Sequence, residues 1–158
     1  MLNNFWVRLL LFLVLNFGAL AIGAALMGEG PTGSWYQNLN RAPWEPPGWV
    51  FGAAWTFIMI CFSLFMAQIW RQQKANAKAI IGLYAIQLVF NIGWNPTFFK
   101  FHLPVPALVI ISTLLFIVFL LFREGKKFET KPFNLLLLPY LLWLGIAISL
   151  NAYVVVNN

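Results

Sequence analysis

Two runs of this chain space polar and aromatic residues at helical intervals inside otherwise apolar sequence. Tyr84, Gln87, Asn91 and Asn95 fall three, four and four residues apart, and Tyr140, Trp143, Ala147 and Asn151 repeat those intervals. At the pitch of an α-helix each set lies along one face. An amide without a partner in hydrocarbon is costly, so neither face can look at lipid. For any single Asn, hydrogen bonding between helices, worth about 0.6 to 2 kcal/mol per contact, is the plainer reading. Four such residues in a row point instead to a cavity. A third set, Gly48, Gly52, Trp55, Met59 and Phe62, makes a face that is small at one end and aromatic beyond. The three faces are placed to line one pocket, with Trp and Phe as walls and a few amides and phenols to orient an occupant. That is the chemistry of a site for a flat apolar ligand.

Other chemistry is absent. No Asp, Glu, Lys, Arg or His lies in the middle of an apolar run; Lys100 and His102 stand at or beyond the end of one. Proton relays, ion pumps and voltage sensors need ionisable groups within the membrane, each costing roughly 2.5 kcal/mol or more. A proton-coupled antiporter is therefore disfavoured, although facilitated flux is not. With one Cys and one His the chain cannot supply a metal coordination shell, and no metal or resident cofactor is expected. Cys61 has no partner for a disulfide.

The elements that must carry these faces follow from composition. Hydrophobic residues make up 61% of the 158 residues and charged residues 9%, with a mean hydropathy of +0.79. This is the profile of an integral membrane protein, all-α, and the reading is a single membrane domain over 1–158. Five apolar segments are bounded by charge, glycine or proline, at about 5–27, 47–70, 79–99, 104–122 and 132–156. They predict a five-transmembrane-helix bundle with its termini on opposite faces. Pro46-Pro47 reads as a fixed helix entry, and Pro139 as a place where the backbone of the last span opens locally. The connection 28–46 is long enough to form a lid, with a short helical turn around 34–39.

The net charge of +6 sits between the apolar runs, where topology explains it better than nucleic acid does. Arg8, Arg71, Lys74, Lys78, Arg123, Lys126, Lys127 and Lys131 fall on the N-terminal side of the membrane, against Arg41 and Lys100 on the other. In a bacterial cell membrane this bias puts the N-terminus in the cytoplasm and the lid outside. The alternative for the first run is a cleaved signal peptide, with Arg8 ahead of it and Ala19-Leu20-Ala21 as a cleavage-like site. Its length exceeds a signal core, and it is read as a span. Trp6, Trp35, Trp49 and Trp70 fit an interfacial belt, whereas Trp55 and Trp143 lie deeper.

The aromatic and proline residues near the lid carry a family resemblance. Trp35-Tyr36, Pro43-Trp44-x-Pro46-Pro47-x-Trp49-Val50-Phe51 and Trp55-Thr56 resemble the signature of the TspO/MBR family, the tryptophan-rich sensory and translocator proteins once called peripheral benzodiazepine receptors. Gln87-Leu88-x-x-Asn91-x-x-Trp94-x-Pro96-x-Phe98-Phe99 is similar to the family's third helix, and Pro139-Tyr140-Leu141-x-Trp143-x-x-x-Ala147-x-x-Leu150-Asn151 to its fifth. The resemblance runs from about Trp35 to Asn151.

It implies a five-helix bundle whose cavity opens towards the first loop, and a membrane receptor or sensor for porphyrins of the protoporphyrin IX type, haem, sterols and synthetic benzodiazepine-site ligands. The ligand residues it implies are Tyr36, Trp55, Met59, Gln87, Asn91, Trp94, Asn95, Trp143 and Ala147. Alternatives it leaves open are light-dependent porphyrin oxidation, with Trp55 and Trp143 as the catalytic electron donors, and facilitated transport of tetrapyrrole or lipid. The sterol pattern of animal members needs a basic residue after the central Tyr. Here Leu150-x-x-Tyr153 is followed by Val154-Val155-Val156-Asn157-Asn158, which lowers the expectation of cholesterol binding. Met59 stands where an aromatic is often found. With His102 placed at the interface and no axial ligand expected in the cavity, metal-free porphyrin is preferred over stable six-coordinate haem. Small residues in the first span (Gly18, Ala19, Ala21, Gly23, Ala24, Ala25) and at Ala75, Ala79, Gly82 and Ala85 permit close helix packing, and the resemblance implies a homodimer.

Overall fold

The computed structural model describes residues 4–71, 77–127 and 133–158. The described residues are helical, with no strand among them. Helix α1 (Phe5–Leu26) is opened by Asn4, whose side chain accepts from the Trp6 amide at 2.9 Å. The chain then turns through Gly28 and Gly30, both at positive φ (68° and 56°), where glycine carries no Cβ penalty. A 3-10 turn (Gly30–Thr32) and the short helix α2 (Ser34–Gln37) follow within the connection expected to form a lid. Four further long helices follow among the described residues: α3 (Gly48–Arg71), α4 (Ala77–Asn95), α5 (Pro104–Gly125) and α6 (Leu138–Asn157).

The prolines set these boundaries. Helix α3 starts one residue after Pro47, whose carbonyl accepts from the Val50 amide at 2.9 Å. Helix α4 runs into Pro96, which has no N–H to continue the ladder. Residues Pro96–Lys100 form a wider π turn, closed by the Phe101 amide on the Pro96 carbonyl at 2.9 Å. Pro139 does not open a helix, as the sequence had suggested. A 3-10 turn (Phe133–Leu137) precedes it, and it occupies the first turn of α6, where its missing N–H leaves no bond unmade.

Helix α1 packs on α3 and α4, α4 on α5, α5 on α6, and α6 on α3, which closes a ring. Helices α1, α3, α5 and α6 are apolar and long enough to cross a membrane. Helix α4, which carries Tyr84, Gln87, Asn91 and Asn95, is not in that set among the described residues. By length and composition, then, four helices rather than five qualify among the described residues. Lys74 and Lys131, counted in the charge bias, Ala75, counted among the small residues, and Pro132, the expected start of the last span, lie outside the described residues. Trp6 and Trp49 are exposed near helix ends, as belt residues are. Trp35 and Trp70 are half-buried, stacked on His102 at 4.3 Å and edge-on to Phe12 at 5.8 Å.

The core fills one half of the ring. Phe62, Phe65, Met66, Ile80, Leu121 and Tyr140 are fully buried there. A buried polar chain crosses it: Tyr84 Oη donates to Asn16 Oδ1 at 2.9 Å, Asn16 Nδ2 to Ser63 Oγ at 2.9 Å, and Ser63 Oγ to the Met59 carbonyl at 2.7 Å. Each member has a partner, so the network ties α1, α3 and α4 together without an orphaned group. Arg8 is also buried, and its Nε donates to the Ala67 carbonyl at 2.9 Å. That puts a cation at the C-terminal end of α3, where the helix dipole favours one.

Candidate functional site

The other half of the ring is hollow. A cavity of about 1180 Å³ lies beneath the connection between α1 and α3, somewhat larger than the ~300 to 1,000 Å³ of an ordinary small-molecule pocket. Each of the three helical faces read from the sequence divides at the same depth. Gly48, Gly52 and Trp55 of α3, Asn91 and Asn95 of α4, and Trp143, Ala147 and Asn151 of α6 line the cavity. Met59, Phe62, Tyr84, Gln87 and Tyr140, one turn or more along the same faces, are buried in the core below it.

The floor is a hydrogen-bonded layer. Tyr140 Oη receives Gln87 Nε2 at 2.7 Å and Asn91 Nδ2 at 2.8 Å. The Tyr140 ring meets Trp55 edge-on at 5.7 Å between centroids. Gln87 therefore sits behind the phenol and does not line the cavity, although the sequence placed it with Asn91. Met59 is likewise 2% exposed and packed in the core, one turn below Trp55. Of the nine ligand residues expected, Tyr36, Trp55, Asn91, Trp94, Asn95, Trp143 and Ala147 are in the lining, and Met59 and Gln87 are not.

The walls are aromatic. Trp143 packs edge-on against Phe51 at 5.3 Å, and its buried Nε1 finds no acceptor among the described residues. Trp94 stacks on Phe98 at 5.2 Å and donates through Nε1 to Asn151 Oδ1 at 3.2 Å, while Asn151 Nδ2 donates to the Pro104 carbonyl at 2.9 Å. That sequence of bonds fixes α4, α5 and α6 around one corner. Asn95 lies against α1 where Gly23 leaves room.

The roof comes from the connection. Tyr36 of α2 donates through Oη to Glu45 Oε1 at 2.7 Å, and Arg41 Nη1 reaches the same oxygen at 3.3 Å with its guanidinium 5.3 Å from the Tyr36 ring centroid. Burial first, and the Glu45 carboxylate second, hold the Tyr36 phenol well above its ordinary range, so it remains a donor. Two further contacts dock this connection on α6. Trp44 Nε1 donates to Ser149 Oγ at 3.2 Å, and Asn158 pairs with the Asn40 backbone, accepting from its amide at 2.8 Å and donating to its carbonyl at 3.2 Å. Sequence reasoning missed Glu45 and counted Arg41 only as a topological charge. Their spacing of four carries no meaning in a segment without helical period.

The TspO/MBR family model matches residues 10–156. The tryptophan-rich sensory protein of Cereibacter sphaeroides is 32% identical over 95% of this chain and 90% of its own length. The tryptophan-rich protein TspO of Chlorobaculum tepidum is 35% identical over 77% of each chain. The human translocator protein is 32% identical over 78% of this chain and 73% of its own. The matched region runs from within α1 to the last turn of α6 and includes the roof of the cavity.

Proposed function

The chain belongs to the TspO/MBR family and is a multi-pass membrane protein, and from that premise we propose that it is a membrane receptor or sensor for porphyrins of the protoporphyrin IX type. The observation that carries this reading is the cavity. It is large, roofed, and walled by Trp55, Trp94 and Trp143, with Asn91 and Asn95 as neutral polar groups. Indole faces suit a flat macrocycle, and the few polar groups orient it. No metal is required to hold it. Titration of the purified protein with protoporphyrin IX in the dark tests the reading. Saturable quenching of tryptophan fluorescence that weakens in Trp55→Phe and Trp143→Phe is the expected result, and quenching unchanged in both variants contradicts it.

A second reading is favoured by one observation: Trp55 and Trp143 line the same space. With dioxygen as the oxidant that takes up the electrons, a porphyrin excited by light beside these indoles would be oxidised and degraded, and oxygen-requiring absorbance loss dependent on both residues would separate an enzyme from a receptor. In the membrane arrangement we favour, α4 is also a span, set in the ring between α1 and α5 with Ile81, Ile86 and Val89 exposed on its outer face. The N-terminus is then cytoplasmic, in a bacterial cell membrane, and the cavity opens on the other side. Gly18, Ala21 and Ala25, which lie on α1 outside the core, suit the contact of a homodimer.

A further inference from the structure

We propose that Arg41 is a carboxylate-recognition site at the mouth of the cavity, and that Glu45 is the internal carboxylate an incoming one displaces from it. The proposal rests on the cavity being the ligand site and specifies one end of the ligand. Among the described residues that line the cavity, Arg41 and Glu45 are the two that carry formal charge; the rest are apolar or neutral. They stand together at the roof, so an occupant meets charge at one end only.

The pair is built unevenly. Glu45 is held from the inside by the Tyr36 hydroxyl at 2.7 Å, while Arg41 reaches the same oxygen through one nitrogen at 3.3 Å. The Glu45 side chain is 16% exposed and that of Arg41 38%. A guanidinium carries five N–H donors in a planar fork, and its strong carboxylate partners take two at once at about 2.7 to 2.9 Å. The contact with Glu45 is single and long by that standard. A ligand carboxylate that engages the fork in parallel is a better partner, and Glu45 keeps the Tyr36 hydrogen bond when it is displaced. The Tyr36 ring under the guanidinium holds the cation in place during the exchange.

An apolar body bearing a carboxylate at one edge satisfies the arrangement, and a cationic amphiphile does not.

The test compares a free acid with its ester. Protoporphyrin IX and its dimethyl ester are titrated into the full chain in detergent, with tryptophan quenching as the readout, for the wild type, Arg41→Gln, Arg41→Lys and Glu45→Gln. The wild type is expected to prefer the acid by about tenfold, the scale of one charge-assisted bidentate contact. Arg41→Gln removes that preference by weakening the acid alone, Arg41→Lys retains part of it as a point charge, and Glu45→Gln tightens the acid without changing the ester. A purely structural role for Arg41 moves acid and ester together, and that result overturns the proposal, as does a preference that survives Arg41→Gln. If neither tetrapyrrole binds the wild type, the porphyrin reading fails separately. The same comparison is then made with cis-parinaric acid and its methyl ester, whose polyene accepts tryptophan emission. Absence of an Arg41-dependent preference in that pair overturns the proposal too.

Discussion

Gly23 and Asn95 are in direct apposition across the α1–α4 contact: a Cβ on Gly23 would lie 2.7 Å from Asn95 Nδ2 and 3.8 Å from the Ile92 backbone. Asn95 is therefore positioned in the cavity wall by the absence of a side chain on the neighbouring helix. The glycine here permits close approach, and no special dihedral is involved.

The first prediction concerns that pair. Gly23→Leu forces the Asn95 amide out of place and lowers the thermal unfolding temperature in detergent, with overpacking costs of about 1 to 3 kcal/mol. Asn95→Ala in the same chain recovers part of the loss. A double-mutant cycle with zero coupling would show that the two residues do not share the space.

Tyr140 is the second target. Its hydroxyl holds both Gln87 and Asn91, so Tyr140→Phe leaves two buried amides without that partner. Stability should fall by about 1 to 3 kcal/mol, and Gln87→Leu added to Tyr140→Phe should restore some of it, since an apolar pair strands fewer polar atoms. Equal stability of wild type and Tyr140→Phe would remove the floor layer from the account.

How much of this was legible in the sequence follows from what periodicity can encode. Intervals of three and four identified the inward faces of α3, α4 and α6, because only one side of a helix can shelter amides from lipid. They contain no information on depth along the axis. Gln87 and Met59 share a face with Asn91 and Trp55, yet packing around Tyr140 closes the floor between them. The roof is less legible still. Arg41 and Glu45 lie in a segment without a period, and Asn40 meets Asn158 across a separation of 118 residues. Pro139 was misread because a proline marks a discontinuity without saying whether it lies inside a helix or at its start.

The third prediction is a pH dependence. The Tyr36 phenol is raised above the ordinary value of 10.0 by burial and by Glu45. Below pH 10 it is protonated whether the connection is folded or not, so its contribution is complete there. As pH rises past the unfolded value, the unfolded phenol loses its proton and the folded one keeps it, so stability falls. The difference in tyrosinate absorbance between wild type and Tyr36→Phe should be absent at pH 10 and grow only at higher pH. A half-titrated tyrosinate signal from Tyr36 at pH 10, as an unperturbed phenol gives, would contradict its burial against Glu45.

Haem supplies the fourth. No histidine or cysteine is found among the described residues lining the cavity; Met27 supplies a thioether there and Tyr36 a phenol that keeps its proton in the hydrogen bond to Glu45, and His102 is stacked on Trp35. Metal-free protoporphyrin should bind more tightly than haem. A strong low-spin haem spectrum that disappears in His102→Ala would contradict this.

If the hollow half of the bundle is the ligand site, filling it at Gly52 must exclude the ligand. Gly52 lines the cavity, and a Cβ there meets nothing within 4 Å, so Gly52→Phe adds bulk in open space without crowding the core. The measurement is a protoporphyrin IX titration of Gly52→Phe beside its thermal unfolding curve. The account predicts an unfolding temperature at or above that of the wild type together with loss of saturable quenching. An equally stable Gly52→Phe protein that binds the porphyrin with wild-type affinity would place the ligand elsewhere.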